Sequence, residues 1–146
     1  MYRQQASEAS DPAIVEQLNT KAINAMNELK RVDPENPMAY LNLASIYLAQ
    51  GKNADAETMP ISLSKKDPTL YQPYIILATV NQSKGTNDYN RFVDLEKRAA
   101  AAVGRDATRL SGERDSAKSA ANASFRRAVE QLNAAKLRAT EPEALN

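Results

Sequence analysis

From Asp11 onward the apolar side chains recur at intervals of three and four, and the chain reads as a succession of helices. Val15, Leu18, Ala22, Ala25, Leu29 and Val32 follow one another at steps of 3, 4, 3, 4 and 3, which on a helix aligns them in a narrow apolar stripe. Asp11-Pro12 supplies the start: an acid that caps free amides, then a proline at the first helical position, where the missing N–H has no partner to lose. The pattern predicts one helix of about five turns. With no turn signal in its middle, it is an entry helix that packs on the segment from Tyr40 to Ala49. Tyr40, Leu43, Ala44 and Tyr47 then form the buried face of a second helix.

Displacing the chain by 34 residues lays Asp33-Pro34 on Asp67-Pro68, Tyr40 on Tyr74, Leu43 on Leu77, Ala44 on Ala78 and Ile46 on Val80. Gly51 falls on Gly85 and Asn53 on Asn87; in the other direction Ala22 falls on Ala56 and Leu29 on Leu63. So many coincidences in one register mark an internal repeat. Each position has a physical reading. Ala44 and Ala78 are small where helices would cross. Gly51 and Gly85 are placed to close a first helix in the left-handed conformation, and Asn53 and Asn87 to cap a second. Asp-Pro ends the unit, because the residue before proline is driven out of helical geometry.

This unit resembles the tetratricopeptide repeat, a helix-turn-helix of the same length. With Pro37 as its first residue, Tyr40, Leu43, Ala44, Tyr47, Ala56, Leu63 and Pro68 match that family's signature. A weaker second unit spans 71–104 through Tyr74, Leu77, Ala78 and Gly85. Upstream, Ala22, Met26, Leu29 and Pro34 resemble the second helix of a preceding unit. The resemblance implies an all-α helical-hairpin solenoid of about two repeats, with an N-terminal entry helix and a long C-terminal helix. Two departures stand out. Pro60 takes the place of a large packing residue, so the second helix of the first unit either kinks there or breaks and restarts near Thr58. Asn90 and Asp94 replace apolar residues in the second unit, whose apolar face passes to Tyr89, Phe92, Leu95 and Ala99.

Past Gly104 the register fails. Ala117, Ala121, Phe125, Ala128, Leu132, Ala135 and Ala139 instead follow steps of 4, 4, 3, 4, 3 and 4, an amphipathic helix with a thin, alanine-rich seam and Glu141-Pro142 as its stop. The expected organisation is a mobile tail over 1–10, a repeat domain over 11–103, a hinge or linker over 104–116 bracketed by Gly104 and Gly112, and a C-terminal helix over 117–140. A helix of that kind is marginal alone in water. It is expected to cap the array or to dock and self-associate, with Phe125 and Leu132 as its anchors.

Composition narrows the function. The chain has no Cys and no His, which removes thiol and Ser-His-Asp chemistry, disulfides and most transition-metal sites. The expectation is no metal, no cofactor and no catalytic residue: there is no glycine-rich phosphate loop, and Asp55 and Glu57 are two apart on a helix and diverge. A formal charge of +1 argues against nucleic acid or a membrane surface as partner, although residues 91–146 are mildly basic. Apolar runs such as "YIILATV" are too short to cross a bilayer. No leader-like segment directs secretion, which leaves a soluble protein with the cytoplasm as default compartment, without excluding the periplasm or the outside of the cell.

What remains is a binding surface. In tetratricopeptide proteins the first helices of successive units line a concave groove that holds a peptide or a partner helix. Carried over by position, the candidate residues are Leu41, Asn42, Ser45 and Leu48 in the first unit and Ile75, Thr79 and Gln82 in the second. Leu41 and Ser45 stand where carboxylate-gripping members carry Lys and Asn, so a carboxylate clamp is not implied. The expected function is non-catalytic protein–protein binding, as an adaptor or scaffold, with a protein or peptide partner that includes a second copy of itself. The alternative is a structural subunit of a homo-oligomer, filament or larger complex assembled through its helical ends.

Overall fold

The computed structural model describes residues 11–140, which form five α-helices and no strand. The expected tail over 1–10 and the stop at Glu141-Pro142 lie outside the described residues. In chain order the helices are α1 (Pro12–Val32), α2 (Pro37–Ala49), α3 (Asn53–Lys66), α4 (Gln72–Ala101) and α5 (Gly104–Thr140). Each packs on its neighbours in sequence, and α4 also reaches back to α2.

Local chemistry sets the ends. The Asp11 carboxylate accepts from the Ala13 N–H at 2.9 Å, and the Asn36 side chain accepts from Met38 N–H at 3.0 Å, with Pro37 beginning α2. Helix α2 closes on Gly51 at φ +71°. The Lys52 N–H reaches the Tyr47 carbonyl at 2.9 Å and the Gly51 N–H that of Leu48 at 3.0 Å, the paired bonds of a Schellman motif. Asp33 and Asp67 cap the C-termini of α1 and α3 through the same bond, each N–H to the carbonyl four residues back (Leu29 and Leu63) at 2.8 and 2.9 Å. The Thr69 hydroxyl and N–H both donate to Asp67 Oδ1, at 2.6 and 3.0 Å, and hold its carboxyl below the usual range.

The core follows the repeated positions. Leu43, Ala44 and Ile46 of α2 and Leu77, Ala78 and Val80 of α4 are all buried. Tyr40 is buried with Ala39 and Leu63, and Leu29, Leu41, Met59 and Leu70 pack against them. Helix α3 passes through Pro60 without a break. Pro60 costs the Ala56 carbonyl its usual donor, but it is itself fully buried and fills the core. Asn53 does not cap α3: it is the first helical residue, and its buried Oδ1 has no hydrogen-bond partner.

The largest difference from expectation is the second hairpin. Residues 72–101 form one helix of 30 residues, with no turn at Gly85, and Asn87 lies inside it. Gly51 has open space where a Cβ would sit, whereas a Cβ on Gly85 would lie 2.7 Å from the Phe125 ring. The first glycine is needed for its backbone angle; the second lets another helix approach. The turn falls instead at Ala102-Val103, followed by Gly104 at φ +64°. The hinge expected over 104–116 is likewise helical, as part of the 37-residue α5. Leu110 and Ala117 are buried there against Leu95, and Arg109 pairs with Asp106 and Glu113 at helical spacing. Gly112 sits in this helix with open space around it, so it weakens the helix without ending it.

The α4–α5 hairpin therefore corresponds to α2–α3 with its arms lengthened. In the first pair Lys66, from the end of α3, donates to the Pro34 carbonyl at 2.9 Å with its ammonium 5.8 Å from the centre of the Tyr40 ring, and the Tyr40 hydroxyl donates to the same carbonyl. In the second, Arg138 from the end of α5 donates through Nε to the Pro68 carbonyl at 2.8 Å and stacks 3.8 Å over the Tyr74 ring. Arg138→Ala should free the last two turns of α5, at a cost of about 1–2 kcal/mol from the lost charge-assisted bond and cation–π contact. Hydrogen exchange that accelerates over residues 131–140 while α2 is unchanged is the expected readout.

Candidate functional site

The candidate site grows from the way α4 and α5 meet. On α4 the side chains turned toward α5 are Tyr74, Ala78, Asn81, Gly85, Asp88, Phe92, Leu95 and Ala99, and none is exposed. On α5 the buried residues are Leu110, Ala117, Ala121, Ser124, Ala128 and Ala135. The α4 set keeps steps of 3 and 4 and the α5 set steps of 3, 4 and 7, the spacing that keeps side chains on one face of a helix. Their members around the middle of the hairpin are Ala, Gly, Ser and Asn. Buried Asn81 satisfies its amide N–H on the Leu77 carbonyl of its own helix at 2.8 Å.

A seam of small residues brings the backbones close, and larger side chains one position away are left at its edge. Phe125 and Leu132, expected in the seam, stand on its flank, where Ser124 and Gln131 take the inner positions. The Phe125 ring still anchors α5, lying directly on Gly85. Leu132 anchors less: it is 49 % exposed, beside Val129 at 57 %.

On this flank the two helices enclose a groove of about 270 Å³. One wall is Ile75, Thr79 and Gln82 of α4; the other is Phe125, Val129 and Leu132 of α5; Ala78 and Ala128 form the floor. Ile75 is 41 % and Phe125 37 % exposed. Thr79 turns its hydroxyl onto the Ile75 carbonyl at 3.0 Å and so presents its methyl side. Only the Gln82 amide brings polar chemistry to the walls.

The structure thus joins three of the seven expected partner-binding residues to the two expected docking residues. The other four lie on α2 and do not line this groove. Leu41 is half-buried against the Ala39–Tyr40–Leu63 cluster, so it supports the core. Ser45 donates to the Leu41 carbonyl at 2.9 Å, and Asn42 and Leu48 are half-buried. Sequence reasoning missed Val129, although its place four residues after Phe125 and three before Leu132 puts it on the same face.

Among the described residues no three metal-ligating side chains converge, and no helix is long and apolar enough to cross a membrane. Comparison with protein-family models, curated proteins and solved structures finds no match, so the groove itself carries the functional reading.

Proposed function

We propose that this chain is a non-catalytic protein–protein interaction module, a short tetratricopeptide-like array whose groove takes a peptide or helix from a partner. The observation that carries the reading is the α4–α5 groove: four half-exposed apolar side chains around a cavity, on a helical hairpin too tightly packed to collapse over them. Apolar side chains lining a preformed concavity are the usual means of receiving an amphipathic helix. The array reading is supported by the matched Asp33 and Asp67 caps, the matched burial of Leu43 with Leu77 and Ala44 with Ala78, and the packing of α4 on both α2 and α3. The second unit departs from the repeat by its long arms. The role is that of an adaptor or scaffold in complex assembly.

The test pairs two exposed groove positions, Ile75→Glu and Val129→Glu. The double variant should lose the partners that the wild type captures specifically, with helicity and melting temperature unchanged, because neither side chain is needed by the core. Retention of all of them would remove this groove from the account.

A second reading, a structural subunit joined through its helical ends, is favoured by an open shelf of about 550 Å³ lined by Val15 and Asn19 from the start of α1 and by Ala49 and Gln50 at the end of α2. Sedimentation velocity over a hundredfold concentration range separates the two. A monomer throughout supports the adaptor; a species that grows with concentration and is lost in Val15→Glu supports the subunit.

A further inference from the structure

We infer that the partner segment fitting the α4–α5 groove is an acidic amphipathic helix; this rests on the reading of that groove as the binding site. The stripe Phe125–Val129–Leu132 is bounded by cations. Lys118 precedes Phe125 by seven residues and Lys136 follows Leu132 by four, which places both on the same face of α5 as the apolar three. Arg126 directly follows Phe125, so it points about 100° around the helix from it, away from the groove, on the side it shares with Glu130 four residues on. All three are exposed, and among the described residues none belongs to an ion pair. Lys118 rests over the Phe92 ring at 5.7 Å, a contact that leaves its charge unneutralised.

Asp88 is half-buried on the side of α4 turned toward α5, but neither it nor any other acid forms an ion pair with Lys118 or Lys136 among the described residues. Glu130 follows Val129 directly and is therefore turned about 100° away around the helix. Asp115 is engaged by Arg114 at 2.8 Å. The α4 wall of Ile75, Thr79 and Gln82 has no charge. The result is an apolar trough with a cationic rim, although the whole chain is nearly neutral at +1.

Geometry and charge select the occupant. Phe125 to Leu132 covers about 10 Å along α5, the distance between the first and last anchors of an i, i+3/i+4, i+7 set on a docked helix. Carboxylates flanking those anchors would meet Lys118 and Lys136. A second copy of this chain is a poor occupant: antiparallel pairing of two such stripes opposes Lys118 to Lys136 at both ends, like charge against like.

The test uses fluorescein-labelled helical peptides of roughly 18 residues, long enough to hold a helix, with leucines at i, i+3, i+4 and i+7. One peptide is flanked by glutamates and the other by lysines, and binding is followed by anisotropy. The glutamate peptide should bind at least about tenfold more tightly at low salt, with the difference narrowing as salt rises. Lys118→Glu with Lys136→Glu should reverse the order, and Ile75→Glu with Val129→Glu should abolish binding of both peptides. Equal binding of the two peptides, still lost in the Ile75/Val129 variant, overturns the acidic partner and leaves the groove as a binding site. Binding of neither peptide, or of anionic phosphatidylserine vesicles in their place, overturns both.

Discussion

Gly85→Ala should destabilise the protein by about 1–2 kcal/mol, and the same change made in a Phe125→Ala background should stabilise it by up to about 1 kcal/mol. The inversion follows from two opposed effects. Alanine in the middle of a helix is favoured over glycine by about 1 kcal/mol, and Gly85 lies in the middle of α4. Its new Cβ, however, would stand 2.7 and 2.8 Å from two Phe125 ring carbons and 3.1 Å from Cγ. Turning the ring about χ2 leaves Cγ in place, so relief requires a new χ1 rotamer that lifts the ring off the seam or a shift of α5, and overpacking of this kind costs about 1–3 kcal/mol. Removing the ring removes the clash and leaves the helical gain. Gly51→Ala is the control. At φ +71° with open space around it, it should lose about 1–2 kcal/mol from backbone strain alone, whether or not Phe125 is present. Urea melts of the six proteins measure all of this. A Gly85→Ala effect independent of Phe125 would mean the two helices do not meet there.

Ala44→Arg is expected to unfold the protein or to cost more than about 4 kcal/mol. Ala44 is 0 % exposed on α2, the helix that α1, α3 and α4 all pack against. An arginine there has no room for its stem and no route to water, and its charge would be buried without a partner. Ala13→Arg, on the exposed first turn of α1, should melt within about 2 °C of the wild type, since surface substitutions rarely change stability by more than a few tenths of a kcal/mol. Equal melting of the two variants would show that the helices do not cross at Ala44.

The period of the apolar positions was enough to establish an all-α chain, and cap chemistry placed both ends of α1 and the end of α2 to within a residue or two, while the start of α2 at Pro37 came from the resemblance to the repeat. Those features are local: Asp11-Pro12, Asn36-Pro37, Gly51 and the two Asp-Pro corners act on their own turns, whatever the rest of the chain does. The 34-residue correspondence also located the side chains of α2 and α4 that are buried, because burial follows helix face. Three of the seven expected groove residues, Ile75, Thr79 and Gln82, came instead from the resemblance to the tetratricopeptide repeat, and they stand on the exposed side of α4.

Tertiary packing decided the rest. Gly51 and Gly85 occupy equivalent positions in the repeat, yet one ends a helix and the other runs through the middle of one. The difference lies in Phe125, 40 residues beyond Gly85, whose ring needs the space that the missing Cβ leaves. The stretch 104–116 read as a hinge because Gly104 and Gly112 bracket it, but Leu110 and Ala117 pack with Leu95, and Phe92, Ala99 and Ala102 pack against them, which holds it as helix. Ala117, Ala121, Ala128 and Ala135 of the α5 seam are buried as expected, but Phe125 and Leu132 were placed one position off. Hydrophobicity ranks Phe125 above Ser124, whereas the separation of two closely packed backbones admits the small serine and turns the ring outward. That choice, made by distance and not by polarity, is what leaves an apolar groove open on the side of the hairpin.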